Sequence, residues 1–446
     1  MSKIQKMRGW LVLVFSLCCM IGTPTFVTAA KGQTAQLTGT SRQTEQPQQT
    51  EQPQQTMEPQ GEEKNPLEDF VLDSAAFEPK VVGEMPSSLF IPEFEGLSCF
   101  WTTDTPEYAT VTEDGVITPV KAGTAHLHVK VQDSSGKEYE FSVDLNIINP
   151  EFQESSIRLA KGLQQTLIVR GNFENPLSYK VLDSKILSIV SKDSFGVVVK
   201  GKKAGKTKVI ASVDGMEFEC TVTVSDPKFK SKYGFYMKKK SFTVKYSGFT
   251  AGGKPIWTSS NPKVAKVNAK GKVSTLKYGS TVIECQLDGK RLQYYLAVSN
   301  KTAVKAMKYG YSKVGKKKYS QARRMSKNYY DCSSFVYRCY RAAGKYLVRK
   351  TSWAPVAAEI GKYYVRKKKN IKASGVYPES KLRPGDLICF GGKTAKRNGR
   401  YKRIYHIAMY IGNGRTMESS STYNNVVIRE RDALRKRYIP VVVRPC

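Results

Sequence analysis

Histidine is scarce in this chain: His126, His128 and His406 are the only three among 446 residues. Cysteine is present but unorganised. Of nine cysteines two, Cys18 and Cys19, fall in the first 30 residues, and the other seven (Cys99, Cys220, Cys285, Cys332, Cys339, Cys389 and Cys446) are an odd number scattered along the chain with no CxxC pair. That pattern excludes a small disulfide scaffold, and with so few histidines it leaves no zinc site to expect; no metal and no cofactor are predicted. Acidic residues are the third shortage. Against 72 Lys and Arg there are 38 Asp and Glu, a net charge of +34, and residues 301–446 hold 36 of the basic residues and only 7 of the acidic ones. Such a balance calls for an anionic partner without saying which.

Long apolar runs are also missing, except at the start. "MSKIQKMRGWLVLVFSLCCMIGTPTFVTAA" carries Lys3, Lys6 and Arg8, then an apolar run from Trp10 to Ile21, then small residues up to Ala30. This is the layout of an export signal over residues 1–30, too short to span a bilayer comfortably, with a retained anchor as the alternative. Export with release, hence no stable membrane insertion after cleavage, is the expectation. Residues 31–66 repeat "TEQPQQ" in tandem and hold few large apolar residues, so a disordered Gln/Pro/Thr spacer is predicted.

An internal repeat follows. "WTTDTPEYATVTEDGVITPVKAGTAHLHV" starts at Trp101 and "WTSSNPKVAKVNAKGKVSTLKYGSTVIEC" at Trp257, each with glycines 14 and 22 positions later (Gly115 and Gly123; Gly271 and Gly279). A weaker middle copy runs from Tyr179 with Gly196 and Gly205. Short alternating segments between Gly, Asp, Asn and Pro turns predict antiparallel β-sandwiches. The run "YATVTEDGVITPVKAGTAHLHV" resembles bacterial immunoglobulin-like domains of group 2. The resemblance implies three Ig-like modules, at 67–149, 150–226 and 227–300, serving as spacers or as weak binders.

Residues 301–446 change texture. In "DCSSFVYRCYRAAG", Cys332, Phe335, Val336, Cys339, Tyr340 and Ala343 recur with helical spacing, Asp331 sits at the N-cap and Gly344 at the C-terminal end. Cys332 therefore opens a helix, where unsatisfied N–H groups favour a thiolate. His406, the one histidine of this region, lies on a strand with Ala408 and Tyr410 on its face, while Ile407, Met409 and Ile411 on the opposite face read as core. A Cys–His pair is the usual requirement for a cysteine nucleophile. If "GNG" at 412–414 forms a three-residue loop, Glu418 comes diagonal to His406 and can orient it; a plain two-residue Asn-Gly turn puts Glu418 on the other face. Cys339 and Cys389 read as packing.

"DCSSFVYRCY", "LRPGDLICF" and "HIAMYIGNGRTMESSS" together resemble the three blocks of the NlpC/p60-type cell-wall cysteine peptidases. The resemblance implies an α+β papain-like domain over 301–446 and cleavage of amide bonds in peptidoglycan stem peptides, commonly between γ-linked D-Glu and a diamino acid, with an amidase as the less favoured activity. It implies Cys332 as nucleophile, His406 as base and Glu418 as the third polar residue. Asp331, Ser333 and Tyr319 would hold substrate, with Tyr329 or Tyr330 as alternatives to Tyr319. Ser334 stands where the family usually has Gly, and Glu418 where it most often has His. The expected protein is multidomain, secreted and wall-associated, with peptidoglycan and anionic wall polymers as partners and no nucleic acid. The basic runs 365–372 and 393–403 would flank the cleft. A surface protein whose C-terminal domain binds wall without cutting it is the competing class.

Overall fold

The computed structural model describes residues 65–349, 351–371, 379–392, 399–430 and 437–446. The expected signal (1–30) and residues 31–64 of the spacer lie outside the described residues, as do Lys372 of the first basic run and 393–398 of the second.

Three pairs of sheets follow one another, each a four-stranded sheet with a three-stranded one. The longest hairpin of each pair is Gly123–Gln132 with Glu138–Ile148, Gly205–Val213 with Met216–Ser225, and Gly279–Leu287 with Lys290–Val298. Their period-2 burial sends Ala125, Leu127, Val129 and Val131 inward in the first, Val209 and Ala211 in the second, Ile283 and Cys285 in the third. Each pair has its own apolar core drawn from both sheets, for example Trp101 and Leu127 with Ile117, and Val209 and Val222 with Val197. In all three, a strand near the start of the module pairs parallel with the last long strand: Lys80–Val81, Ser156–Ala160 and Tyr233–Tyr236.

The repeated spacing of tryptophan and glycine has a packing reason. Gly115 and Gly271 are both left-handed, at φ of 85° and 72°. A Cβ there would lie 2.8 Å from the indole of Trp101 and 2.7 Å from that of Trp257, so the ring lies on bare backbone.

Among the described residues, the C-terminal region is built from three α-helices and a six-stranded sheet. The helices are α1 (Lys301–Tyr311), α2 (Cys332–Ala342) and α3 (Ala357–Arg366). The strands are β1 (Asn370–Ile371), β2 (Leu387–Gly391), β3 (Ile404–Gly412), β4 (Arg415–Ser420), β5 (Asn425–Arg429) and β6 (Val441–Val443), in spatial order β1-β6-β2-β3-β4-β5. Asn300 caps α1 by accepting the Ala303 N–H at 3.0 Å. Helices α1 and α2 meet closely at Gly310, where a Cβ would lie 3.0 Å from Cys339 Sγ, so Cys339 is a packing residue.

One face of the sheet, through Ile407, Met409, Ile411 and Met417, joins the helices in a single core. The face carrying Ala408 and Tyr410, which the sequence offered as the side away from the core, is buried as well. It packs with Leu382, Ile388, Phe390, Ile439 and Val442 into a second, smaller core. Leu382 and Ile439 come from loop segments that strand periodicity does not register.

Gly115→Ala should destabilise the first sandwich by about 1–3 kcal/mol, because alanine is strained at that φ and its methyl meets the Trp101 ring. Calorimetry should show the corresponding transition shifted down, with Cys332 reactivity unchanged.

Candidate active site

Helix α2 begins where it does because Asp331 and Ser334 cap each other. The Asp331 Oδ1 accepts the Ser334 N–H at 2.7 Å, and the Ser334 Oγ accepts the Asp331 N–H at 2.9 Å. Ser334, the departure from the family's usual glycine, is therefore half of the cap. The Ser333 hydroxyl donates to Asp331 Oδ1 at 3.1 Å. The other carboxylate oxygen faces Arg324, whose Nη1 lies 3.0 Å from Asp331 Oδ2 and whose Nη2 donates to the carbonyls of Ala354 at 2.7 Å and Pro355 at 3.3 Å. All of these groups are buried. Sequence reading missed Arg324, and no pattern in "SQARRMSK" sets it apart from its neighbours. Ser334 was legible, since an Asp followed three positions later by Ser has the spacing of a reciprocal cap.

Cys332, the first residue of α2, is buried at 7% exposure, at the edge of the core that joins the helices to the sheet. Cys389 by contrast is fully buried, and burial pushes its thiol far up. Cys332 is among the groups that act on the His406 imidazole, and His406 Nε2 lies 3.1 Å from Glu418 Oε2. Burial lowers the His406 pKa, but its hydrogen bonds and charge contacts with Cys332 and Glu418 outweigh that and take it up from 6.5 to about 9. A raised imidazolium pKa stabilises the folded protein fully below about pH 6.5, and this contribution is lost as pH climbs through about 9.

Glu418 reaches His406 by an unforeseen route. The turn is a two-residue one, with Asn413 and Gly414 left-handed at φ of 52° and 67° and Gly412 paired with Arg415. Alone, this turn would send Glu418 to the opposite face. A bulge at Ile411 intervenes, so Tyr410 pairs with Thr416 and Met409 with Met417. Continuing that register sets Glu418 across from Ala408, diagonal to His406. The Glu418 side chain is wholly buried, with Arg429 Nη1 3.7 Å and Arg437 Nη1 3.8 Å from its carboxylate oxygens. The Arg437 guanidinium also lies over the Phe390 ring, 4.8 Å from its centre, and that ring neighbours His406. These two arginines were also missed; Arg429 was within reach, since alternation puts it two residues from Val427, the partner of Glu418.

Tyr319 lies in a short parallel pairing of Lys318–Tyr319 with Tyr329–Tyr330. Its N–H donates to Asn424 Oδ1 at 3.0 Å. Burial raises its pKa, and the charges of Cys332 and Asp331 raise it further; its hydroxyl accepts from Gln321 Nε2 at 3.4 Å. The two alternatives sit differently. Tyr329 lies under the Arg323 guanidinium, and Tyr330 is fully buried with its hydroxyl 3.3 Å from that of Tyr309. Among the described residues no group of three or more His, Cys, Asp or Glu gathers as a metal site.

A thiol at a helix start, an imidazole and a carboxylate in series on an α+β domain, preceded by β-sandwiches, define a cysteine–histidine class of site. Residues 311–442 match the NlpC/P60 family and residues 99–137 the bacterial Ig-like domain, so the chain carries an NlpC/P60 domain behind an Ig-like one. A search of curated proteins finds no match. Among solved structures, the chain is similar to an NLP/P60-family protein of Staphylococcus aureus described as similar to a lipoprotein, at 17% identity and a TM-score of 0.24, covering 33% of this chain and 42% of that one. It is similar to the peptidoglycan hydrolase RipB of Mycobacterium tuberculosis at 20% identity and 0.22, covering 32% and 64%. For domains 4 and 5 of the S-layer protein SbsC the values are 19% and 0.16, with 31% and 78% covered. The chain thus spans less than two thirds of the Staphylococcus and Mycobacterium structures.

Arg324→Ala should cost about 3–5 kcal/mol in denaturant unfolding of the C-terminal region, because it leaves the buried Asp331 carboxylate without its cation. Arg324→Lys should recover part of that loss.

Proposed function

We propose that this protein is a secreted, wall-associated peptidoglycan hydrolase that cuts stem-peptide amide bonds with Cys332 as nucleophile. The observation that carries the reading is His406, whose Nε2 lies 3.1 Å from the buried Glu418 carboxylate and whose pKa both Glu418 and Cys332 raise.

The thiolate of Cys332 attacks the amide carbonyl, and a C–S bond forms as the carbonyl becomes a tetrahedral oxyanion. His406, held protonated by Glu418, gives its proton to the leaving nitrogen; the C–N bond breaks and a thioester remains. His406 then takes a proton from water, the hydroxide attacks the thioester, and the acid product leaves with the thiolate restored. The Tyr319 hydroxyl is assigned to the carbonyl oxygen, while Asp331 and Ser333 act on the substrate through the helix start that they fix. The bond between γ-linked D-Glu and a diamino acid is the favoured target. The core is papain-like, with a cysteine-bearing helix against an antiparallel sheet.

All three sandwiches are Ig-like modules in this reading, since each repeats the four-plus-three sheet plan and the parallel closing strand. Anionic wall polymers are the partners of the basic face. A concavity of about 590 Å³ on α3, lined by Val348, Glu359, Lys362, Tyr363, Arg366 and Lys367, sets three cations beside one carboxylate and is net basic.

Digestion of purified peptidoglycan by the full chain, read by mass spectrometry, tests the reading. New muropeptides should appear with wild type and fall by at least about 10⁴-fold with Cys332→Ala. Identical products from both, or none from either, would sink it. Because His406 must carry a proton to release the amine, kcat/KM should decline above about pH 9. Glu418→Gln removes a contribution that raises this pKa, so the alkaline decline should move to lower pH.

A further inference from the structure

We propose that the third sandwich, residues 227–300, holds the active-site hairpin in the register that brings Glu418 to His406, making Asn413 and Arg415 positioning residues. The inference rests on reading Cys332, His406 and Glu418 as the reacting groups.

The bulge at Ile411 decides which face Glu418 occupies, and the residues just beyond it are seated on the third sandwich. Gly412 comes so close that a Cβ on it would lie 2.5 Å from Ser280 Cβ. The Asn413 N–H donates to Ser280 Oγ at 2.8 Å. Its side-chain Nδ2 donates to the carbonyls of Thr281 at 3.2 Å and Leu296 at 3.4 Å, two residues that face each other across the sandwich's long hairpin. The Arg415 guanidinium lies 3.7 Å from the centre of the Tyr295 ring, and its Nη1 donates back to the Asn413 carbonyl at 3.0 Å. Both ends of the turn are therefore fixed from the sandwich side.

The attachment is continuous with the core. Phe235 and Ala297 of the sandwich belong to the same buried cluster as Cys332, Phe335 and Met417. The Ser299 hydroxyl donates to the Pro384 carbonyl at 2.7 Å, and α1 starts directly after the sandwich's last strand. A two-residue Asn-Gly turn is at its simplest without a bulge, and losing that one extra residue would turn Glu418 away from His406. The sandwich's grip on Gly412 and Asn413 opposes that slip.

The test uses the full chain and substitutions distant from the thiol. Tyr295→Ala removes the ring under Arg415. Asn413→Gly keeps the left-handed turn and removes only the bonds to Thr281 and Leu296. Tyr295→Phe keeps the ring. Besides Glu418 on β4, the groups facing His406 and its partner are Cys332 on α2, Arg429 on β5 and Arg437. None of these is altered.

Two readouts apply: kcat and KM on peptidoglycan, and the pH dependence of Cys332 alkylation followed on its own peptide. With folding checked by thermal unfolding, Tyr295→Ala and Asn413→Gly should lower kcat about 10- to 100-fold with KM within about twofold. The alkaline limb of the alkylation profile should move to lower pH as Glu418 withdraws, and Tyr295→Phe should restore it. Folded Tyr295→Ala and Asn413→Gly with wild-type alkylation profiles overturn the inference, whether or not peptidoglycan is cut. A shifted profile in a protein whose wild type leaves peptidoglycan intact upholds the clamp and refutes the proposed substrate.

Discussion

The start of α2 depends on the buried carboxylate of Asp331. One oxygen caps the start of the helix by accepting the Ser334 N–H and also takes the Ser333 hydroxyl; the other meets Arg324, which in turn ties down the Ala354 and Pro355 carbonyls. Burying a charge is unfavourable unless it finds donors, and here they come from two separate stretches of chain, Ser333–Ser334 and Arg324. The network's product is position: it fixes the first turn of the helix, and the first residue of that turn is Cys332.

Glu418 is the counterpart on the sheet side, with no exposure and with His406, Arg429 and Arg437 around it. Asp386, buried at the start of β2, is likewise held at 2.8 Å by Arg444. Several arginines of the basic C-terminal third thus answer buried carboxylates of the same chain. The charge imbalance read from composition overstates what is turned outward.

The sequence made the order of parts legible where periodicity is strong. The alternation of the long sandwich strands and the helical spacing from Cys332 to Ala343 both reach the structure, and so does the spacing of Trp101 and Trp257 to their glycines. What escaped depends on contacts distant in sequence. The second core under Ala408 and Tyr410 needs Leu382 and Ile439, and Arg324 becomes special only when folding brings it to Asp331. The hairpin is the instructive case. Both turn geometries weighed from "GNG" were partly right, because the chain uses the two-residue turn and then recovers the other register with a bulge at Ile411. That bulge is stabilised by Ser280, Thr281 and Leu296, more than a hundred residues away along the chain, where no local pattern could announce it.

The parallel closing strand of each sandwich has a mechanical consequence. An early strand and the last strand of each module run side by side in the same direction, so tension applied through the module's ends loads their hydrogen bonds in shear, all at once, instead of peeling them singly. The three modules are not equally fastened: two residue pairs close the first, five the second and four the third. Under load the first would yield before the others, lengthening the tether while the module against the thiol site stays folded.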